Sequence, residues 1–311
     1  MAYYLGIDTS NYTTSVALIN DDFSILQEKK LLPVKSGQKG LRQSDAVFHH
    51  TKQISELIEN LFKGKDIKPV SIGVSTKPTT KEGSYMPCFL VGETIARSIG
   101  AIMNVPVFTT SHQVGHVLAG IVSSKKFSLL DTPFIAFHVS GGTTDCLLCT
   151  PNSNTLLDIS MVATSLDLKG GQAVDRVGIS LGLDFPCGKD LEKLALLSKK
   201  HFKIKPTIKD GNCCLSGLEN LCNKMLSNGE PYEDISMYCL EYIYQTIKSM
   251  TSYALNKFGN MPILYVGGVM SNSIIRKKLS KDFNCNFAEP NLSCDNAVGV
   301  SLYALKKFKS I

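Results

Sequence analysis

His112-Gln113-Val114-Gly115-His116 places two imidazoles four residues apart. On a helix, residues i and i+4 share a face, so both rings can point at one ion. Two histidines and one carboxylate make a site with open positions, suited to iron or zinc. Zinc proteases of the H-E-x-x-H kind carry a glutamate base at the second position. Here that position is Gln113, which cannot take the proton, so protease chemistry of that kind is disfavoured. The same spacing also suits two ordinary helix histidines, one capped and one packed.

Glycine turns form the second set. Ser140-Gly141-Gly142-Thr143-Thr144 lies between two apolar runs. It can offer several backbone N–H groups to a phosphate, because glycine lets the backbone approach closely. Asp8-Thr9-Ser10-Asn11 makes a comparable turn near the start, and Gly267-Gly268 follows the apolar run 263–266. A glycine pair at a strand end before a helix admits a base or ribose. One such turn alone is commonly just tight backbone; three at the ends of apolar strands point to a nucleotide cleft. No G-x-x-x-x-G-K-[ST] and no G-x-G-x-x-G occurs, which argues against P-loop and Rossmann binding.

These residues need elements to hold them. Tyr3 to Asn20 reads as strand, polar turn and returning strand, and Phe134 to Cys149 repeats the pattern. The recurrence implies two related lobes. Ile54, Leu57, Ile58, Leu61 and Phe62 form an apolar stripe on a helix starting near Ala46. Further helices are expected over 92–103, 112–122, 235–258, from about 272, and over 295–308, with short strands at 105–108 and 263–266. Strands alternating with helices predict an α/β fold.

The chain of 311 residues is 43% hydrophobic and 19% charged, a globular mix. Its length suits two domains, or two lobes sharing one cleft. The net charge of +6 permits a nucleic-acid partner without demanding one. Basic clusters at Lys199, Lys200, Lys203 and Lys205, and at Arg276, Lys277, Lys278 and Lys281, suit phosphates or solvated faces equally. The ten cysteines read as reduced, buried, small hydrophobes; the lone C-x-x-C, Cys146 to Cys149, has no second pair. No signal-peptide pattern opens the sequence, and no apolar run reaches the roughly 20 residues a membrane span needs. A cytoplasmic protein without membrane contact is expected.

Eight segments, in order and over nearly the whole chain, resemble the TsaD-like family, once called O-sialoglycoprotein endopeptidases, within the ASKHA superfamily of actin, sugar kinases and heat-shock chaperones. They are 6–10 (opening phosphate turn), 111–116 (paired metal histidines), 139–142 (second phosphate turn) and 171–176 (G-E-A-F-D-K). The rest are 182–188 (G-L-D-Y-P-G-G), 215–218 (F-S-G-L), 267–272 (G-G-V-x-x-N) and 293–297 (T-D-N-[GA]). The resemblance implies a two-lobed actin-like fold with duplicated mixed-sheet lobes around a nucleotide cleft. It assigns 1–120 plus 291–311 to lobe I, and 121–290 to lobe II. It implies one divalent metal, iron or else zinc, on His112, His116 and Asp295. His138, Val139, Ser140, Gly141 and Gly142 would line the substrate phosphates. Asp175, Gly188, Gly267, Gly268 and Asn272 would hold the nucleoside, with an adenylate substrate or ATP/ADP in the cleft. Asp8, Ser10 and Asp175 would serve the chemistry. Asp295 opening a helix also suits a simple cap.

The implied reaction is transfer of a threonylcarbamoyl group from threonylcarbamoyl-adenylate to an adenine amine of tRNA. A separate enzyme would supply the adenylate, and TsaB-like and TsaE-like proteins would be partners. The bound metal would act as a Lewis acid on the acyl carbonyl. The sequence departs from the family pattern at Asn11, Tyr12 and Thr13 (family C-D-E), Thr143 (His), Gln172 (Glu) and Arg176 (Lys). Those changes leave two further readings: a metal- and nucleotide-dependent carbamoyl or acyl transferase with another acceptor, or a non-catalytic scaffold partner.

Overall fold

The computed structural model describes residues 1–10, 12–33, 41–289 and 297–310. The chain divides into two compact units, one of residues 1–130, 151–158 and 294–311, the other of 131–150 and 159–293.

The first unit is built on β1 (Tyr3–Asp8), β2 (Thr13–Asn20), β3 (Ile25–Leu31), β4 (Pro69–Lys77) and β5 (Val107–Ser111). They form one sheet in the order β3-β2-β1-β4-β5. The first three strands run as an antiparallel meander, while β4 and β5 lie parallel to β1. Its helices are α1 (Gln43–Phe62), α2 (Phe89–Met103) and α3 (His112–Ser124). The apolar stripe of α1, Ile54, Leu57 and Leu61, packs with Leu5, Ile7, Val16 and Leu18 of the sheet. Burying aliphatic side chains of this size stabilises by about 1.5–3 kcal/mol each before chain entropy is set against it.

The second unit holds β6 (Phe134–Val139), β7 (Thr144–Asn152) and β8 (Leu156–Thr164), then α4 (Gly170–Ser180) and α5 (Gly188–Ala195). After them come the short hairpin β9 (Thr207–Lys209) and β10 (Asn212–Cys214), α6 (Ser216–Ser227) and the long α7 (Tyr232–Phe258). β11 (Ile263–Val266), α8 (Ser273–Asp282) and β12 (Cys285–Phe287) follow. Its sheet order is β12-β11-β6-β7-β8. β6 and β7 are antiparallel, and β11 and β12 run parallel to β6. Read from the hairpin outward, this is the strand order of the first sheet, so the duplicated α/β lobes expected from the two strand–turn–strand segments are present.

The last helix, α9 (Ala297–Phe308), follows β12 in sequence but belongs to the first unit. It is buried along Ala297–Leu305 and packs on β1, β4 and α3. Glycines make that approach possible. A Cβ on Gly299 would stand 1.9 Å from the Gly115 carbonyl oxygen, and one on Gly6 2.1 Å from that of Ala297.

Helix starts agree with the sequence reading to within a few residues. The strand expected at 105–108 instead spans Val107–Ser111, because it pairs in register with Ile72–Lys77 of β4. All nine described cysteines are free, seven of them buried. Cys146 and Cys149 lie three apart on one strand, so their side chains leave opposite faces and cannot chelate one ion. Burial also pushes both thiols far above their usual range. Among the described residues, no helix is long and apolar enough to cross a membrane.

Candidate functional site

In the first unit the candidate metal histidines open α3 directly after β5. Ser111 caps that helix, its Oγ accepting from Val114 N–H at 3.2 Å. The His112 and His116 rings meet edge to face with centroids 4.5 Å apart, as i and i+4 residues should. Asp8, the last residue of β1, is fully buried and both of its oxygens are engaged. Oδ1 accepts from Ser10 N–H at 2.8 Å, and Oδ2 lies 2.9 Å from His112 Nδ1. Burial works against ionisation of Asp8, but the His112 ring and the Ser10 donors outweigh it and hold the carboxyl below its usual range.

That contact fixes the His112 tautomer. With Nδ1–H donated to a carboxylate, Nε2 carries the free lone pair, the arrangement by which carboxylates orient metal-binding histidines. The donor set therefore fits a divalent metal ion. Among the described residues no third His, Cys, Asp or Glu completes a cluster with these two. Asp295, the expected third ligand, lies outside the described residues.

Within the electrostatic reach of Asp8 stands a residue the sequence reading missed. His50 of α1 is fully buried, with Nδ1 2.8 Å from Thr14 Oγ1. Thr14 gives its hydrogen to Gln53 Oε1 at 3.0 Å. His50 Nδ1 must then be the donor, and Nε2 is left as a buried acceptor without a partner among the described residues. Burial pushes the pKa of His50 down to about 4, against the pull of Asp8. The available signal was its place on the apolar stripe, four residues before Ile54.

In the second unit, the Ser140–Thr143 turn joins β6 to β7. Ser140 N–H donates to Thr143 O at 2.8 Å, and Gly142 N–H to Ser140 Oγ at 3.3 Å. Helix α4 abuts this turn. Gly171 N–H donates to Ser140 O at 3.0 Å, and a Cβ on Gly171 would stand 2.6 Å from Gly141 N. Thr144 Oγ1 receives Gly170 N–H at 2.8 Å. Among the described residues, Cβ atoms on Gly141 and Gly142 would meet nothing within 4 Å. His138 and Val139 end β6, and Gly267 stands close by with φ 103°, where a Cβ would be 2.3 Å from Val139 O.

The nucleoside candidates fall in the same unit. Asp175 of α4 accepts Cys187 N–H at 2.9 Å; burial raises its pKa and that hydrogen bond opposes the rise. Gly188 begins α5 with open space before its Cα. Gly268 opens a short 3-10 turn that ends at Ser271. Asn272 is spent differently from expectation: Oδ1 caps α8, accepting from Ile274 and Ile275 N–H, both at 3.1 Å. Only its amide nitrogen is left to face a ligand.

Two departures from the family pattern receive structural explanations. Gln172 Oε1 accepts Lys169 N–H at 3.3 Å, closing the first turn of α4. Glutamine and glutamate both serve that position in a capping box. Arg176 pairs with Glu219 of α6 at 3.0 Å. Asp167 was not foreseen at all. It accepts from Leu168 N–H at 2.6 Å, Leu215 N–H at 2.7 Å and Ser216 Oγ–H at 2.6 Å, tying the lead into α4 to the start of α6. These donors overcome its partial burial and hold its pKa at about 2.

Residues 28–301 match the family model described as TsaD: tRNA N6-adenosine threonylcarbamoyltransferase. A protein of that description from Buchnera aphidicola subsp. Schizaphis graminum is 30% identical over 292 residues, covering 89% of this chain and 82% of its own. A probable bifunctional tRNA threonylcarbamoyladenosine biosynthesis protein of Thermoplasma volcanium is 25% identical over 98% of this chain, which spans 56% of that longer protein. Among solved structures, component A of the Acidaminococcus fermentans (R)-2-hydroxyglutaryl-CoA dehydratase superposes with TM-score 0.59 at 19% identity, over 99% of both chains. A ROK-family glucokinase from Streptomyces griseus, solved with glucose and AMPPNP, gives 0.55 at 9% identity, over 98% of this chain and 100% of its own. Those two structures show an actin-like, ASKHA-type fold.

Proposed function

The chain belongs to the TsaD family, the tRNA N6-adenosine threonylcarbamoyltransferases, which places it among transferases acting on tRNA; from that premise we propose how its residues divide the work. The observation that carries the reading is the Asp8–His112–His116 arrangement, a buried carboxylate fixing one of two paired imidazoles with Nε2 free.

In this reading Asp8 positions rather than reacts, since both oxygens are taken and the group stays ionised. Ser10 supports Asp8 through its backbone N–H. His112 through Nε2, His116 and Asp295 hold one divalent ion, iron or zinc. Asp295 is taken as the third ligand because the segment 293–297 matches the family's T-D-N-[GA] motif. When bound, the ion supplies Lewis-acid polarisation of the donor's acyl carbonyl.

The donor is threonylcarbamoyl-adenylate. His138, Val139, Ser140, Gly141 and Gly142 receive its phosphate on backbone N–H groups, for which the open space before both glycines leaves room. Asp175 and Gly188 hold the ribose; Gly267, Gly268 and the Asn272 amide border the base. A fold neighbour solved with AMPPNP supports a nucleotide in this fold. The adenine amine nitrogen of tRNA forms a bond to the carbamoyl carbon. The bond from that carbon to the phosphate oxygen breaks, AMP leaves, and the amine proton passes to solvent. TsaB-like and TsaE-like proteins serve as partners.

The test supplies purified protein with such partners, threonylcarbamoyl-adenylate, iron or zinc, and tRNA. Threonylcarbamoyladenosine should form, and His112→Ala and His116→Ala should each lose bound metal and product while keeping the fold. No product from the complete wild-type mixture would overturn the reading.

A further inference from the structure

The stretch 201–209 alternates strictly. His201, Lys203, Lys205, Thr207 and Lys209 are exposed, while the residues between them are half-buried. Phe202 packs edge to face on Tyr238 with centroids 5.2 Å apart. Ile204 and Ile208 lie against the core of the second unit. The stretch is thus pinned from within, and its outer face carries His201, Lys203, Lys205 and, past Thr207, Lys209, with Lys199 exposed just before it.

Lys200 is spent on Glu230 at 2.7 Å and Asp234 at 2.9 Å. Among the described residues, no ion pair engages Lys199, Lys203, Lys205 or Lys209. Only Thr207–Lys209 of the stretch is strand; where the chain is extended, alternate residues are about 6.6–6.8 Å apart, of the order of the distance between successive phosphates along a nucleic-acid strand, with Lys203 and Lys205 one such step apart and Lys205 and Lys209 two. The stretch is also tied to the nucleotide side of its unit. It leaves α5, which opens at Gly188, and returns through β10, where Leu166 N–H donates to Cys213 O at 2.9 Å. The next residues, Leu215 and Ser216, are the ones Asp167 holds.

We propose that Lys203, Lys205 and Lys209, with Lys199 and His201 beside them, form a ladder that binds the phosphate backbone of the tRNA acceptor. The proposal rests on the transferase reading for the identity of the RNA, and on the ladder's geometry and unpaired charge for its place. Phosphate contacts of this kind set affinity and register and carry no base specificity.

The test measures tRNA binding by the full chain, without donor, across a series of salt concentrations. K203Q/K205Q/K209Q is compared with wild type and with K63Q/K65Q/K68Q, which removes three charges elsewhere. The ladder variant should bind about tenfold or more weakly at low salt, with a log–log salt slope shallower by about 2–3, since each phosphate contact contributes ~0.7–0.9. The control should match wild type in affinity and slope; its own unfolding midpoint is read separately, because Lys65 Nζ donates to Leu61 O at 3.0 Å at the end of α1, whereas the ladder variant, whose replaced side chains are exposed, should unfold like wild type. Equal affinity and slope for ladder variant and wild type overturns the proposal, even where wild type makes threonylcarbamoyladenosine. Ladder-dependent binding by a wild type that makes no product overturns the transferase reading and leaves the ladder standing. Ladder-dependent capture of phosphatidylserine vesicles with unchanged tRNA binding also overturns it, in favour of a membrane surface.

Discussion

His112 and His116 are legible as a pair because a helix brings residues four apart together, and a sequence displays that spacing directly. Asp8 is not, because it stands 104 residues from the ring it orients. A carboxylate at the end of an apolar strand looks like a reacting group until both oxygens are found engaged. Its proposed positioning role predicts that Asp8→Asn weakens metal affinity by about 10–100-fold, as loss of an orienting carboxylate does elsewhere, with the fold retained. Titration with zinc, read by competition with a chelator, checks this; unchanged affinity would remove Asp8 from the site. His50 makes a separate prediction. In the fold its pKa is about 4, against about 6.5 when unfolded. Its neutral form is therefore favoured by folding, and that advantage is complete above pH 6.5. As pH falls toward 4 the unfolded chain takes the proton first, so stability drops by about 2 kcal/mol between pH 7 and pH 5. Urea unfolding at both values should show a shallower pH dependence for His50→Gln; equal slopes would contradict it.

At the scale of elements, α1, α2, α3, α7, α8 and β11 follow from apolar periodicity, because one face of each must be buried, while β3, β4, β8, β12 and α4 to α6 are not read from the sequence. What periodicity cannot carry is the partner of that face. Nothing local in Ala297–Phe308 says that it covers β1, β4 and α3; that depends on glycines at positions 6, 115 and 299 coming together from distant parts of the chain. Gly299→Ala should accordingly destabilise by about 1–3 kcal/mol, the usual range for overpacking, seen as a lowered unfolding midpoint. The glycines of the Ser140 turn make the opposite case. A Cβ on Gly141 or Gly142 meets no atom of the described residues within 4 Å, so G141A and G142A should unfold like wild type. Each should nevertheless weaken AMP binding, measured by calorimetry, because the methyl occupies the space assigned to phosphate. Unchanged AMP affinity in both would remove the phosphate role from this turn. The capping bond of Gln172 likewise shows why a departure from the family motif leaves α4 intact.

At the scale of the whole molecule, two sheets share one strand order, and the repeat was readable only at its two hairpins, where short polar turns, Thr9-Ser10-Asn11 and Ser140-Gly141-Gly142-Thr143, separate strong apolar runs. The parallel strands β4, β5, β11 and β12 add themselves through crossovers whose destinations no local pattern encodes. The corresponding prediction concerns α9. Removing residues 297–311 should strip protection from β1 and β4 in hydrogen exchange, while β6, β7 and α7 keep theirs, since α9 belongs to the first unit. Loss of protection in both units alike would show that they do not fold as separate cooperative bodies.

That placement of α9 also sets an order of events during synthesis. The first unit's strands and α3 leave the ribosome early, yet the helix that buries them is made only after the entire second unit. At roughly 5–20 residues per second, about 170 intervening residues impose a delay of some ten to thirty seconds. Through that interval the second unit can complete its own core while the apolar faces of β1, β4 and α3 wait uncovered. The nascent chain is then most exposed to misassociation in its oldest part, and the first unit matures last.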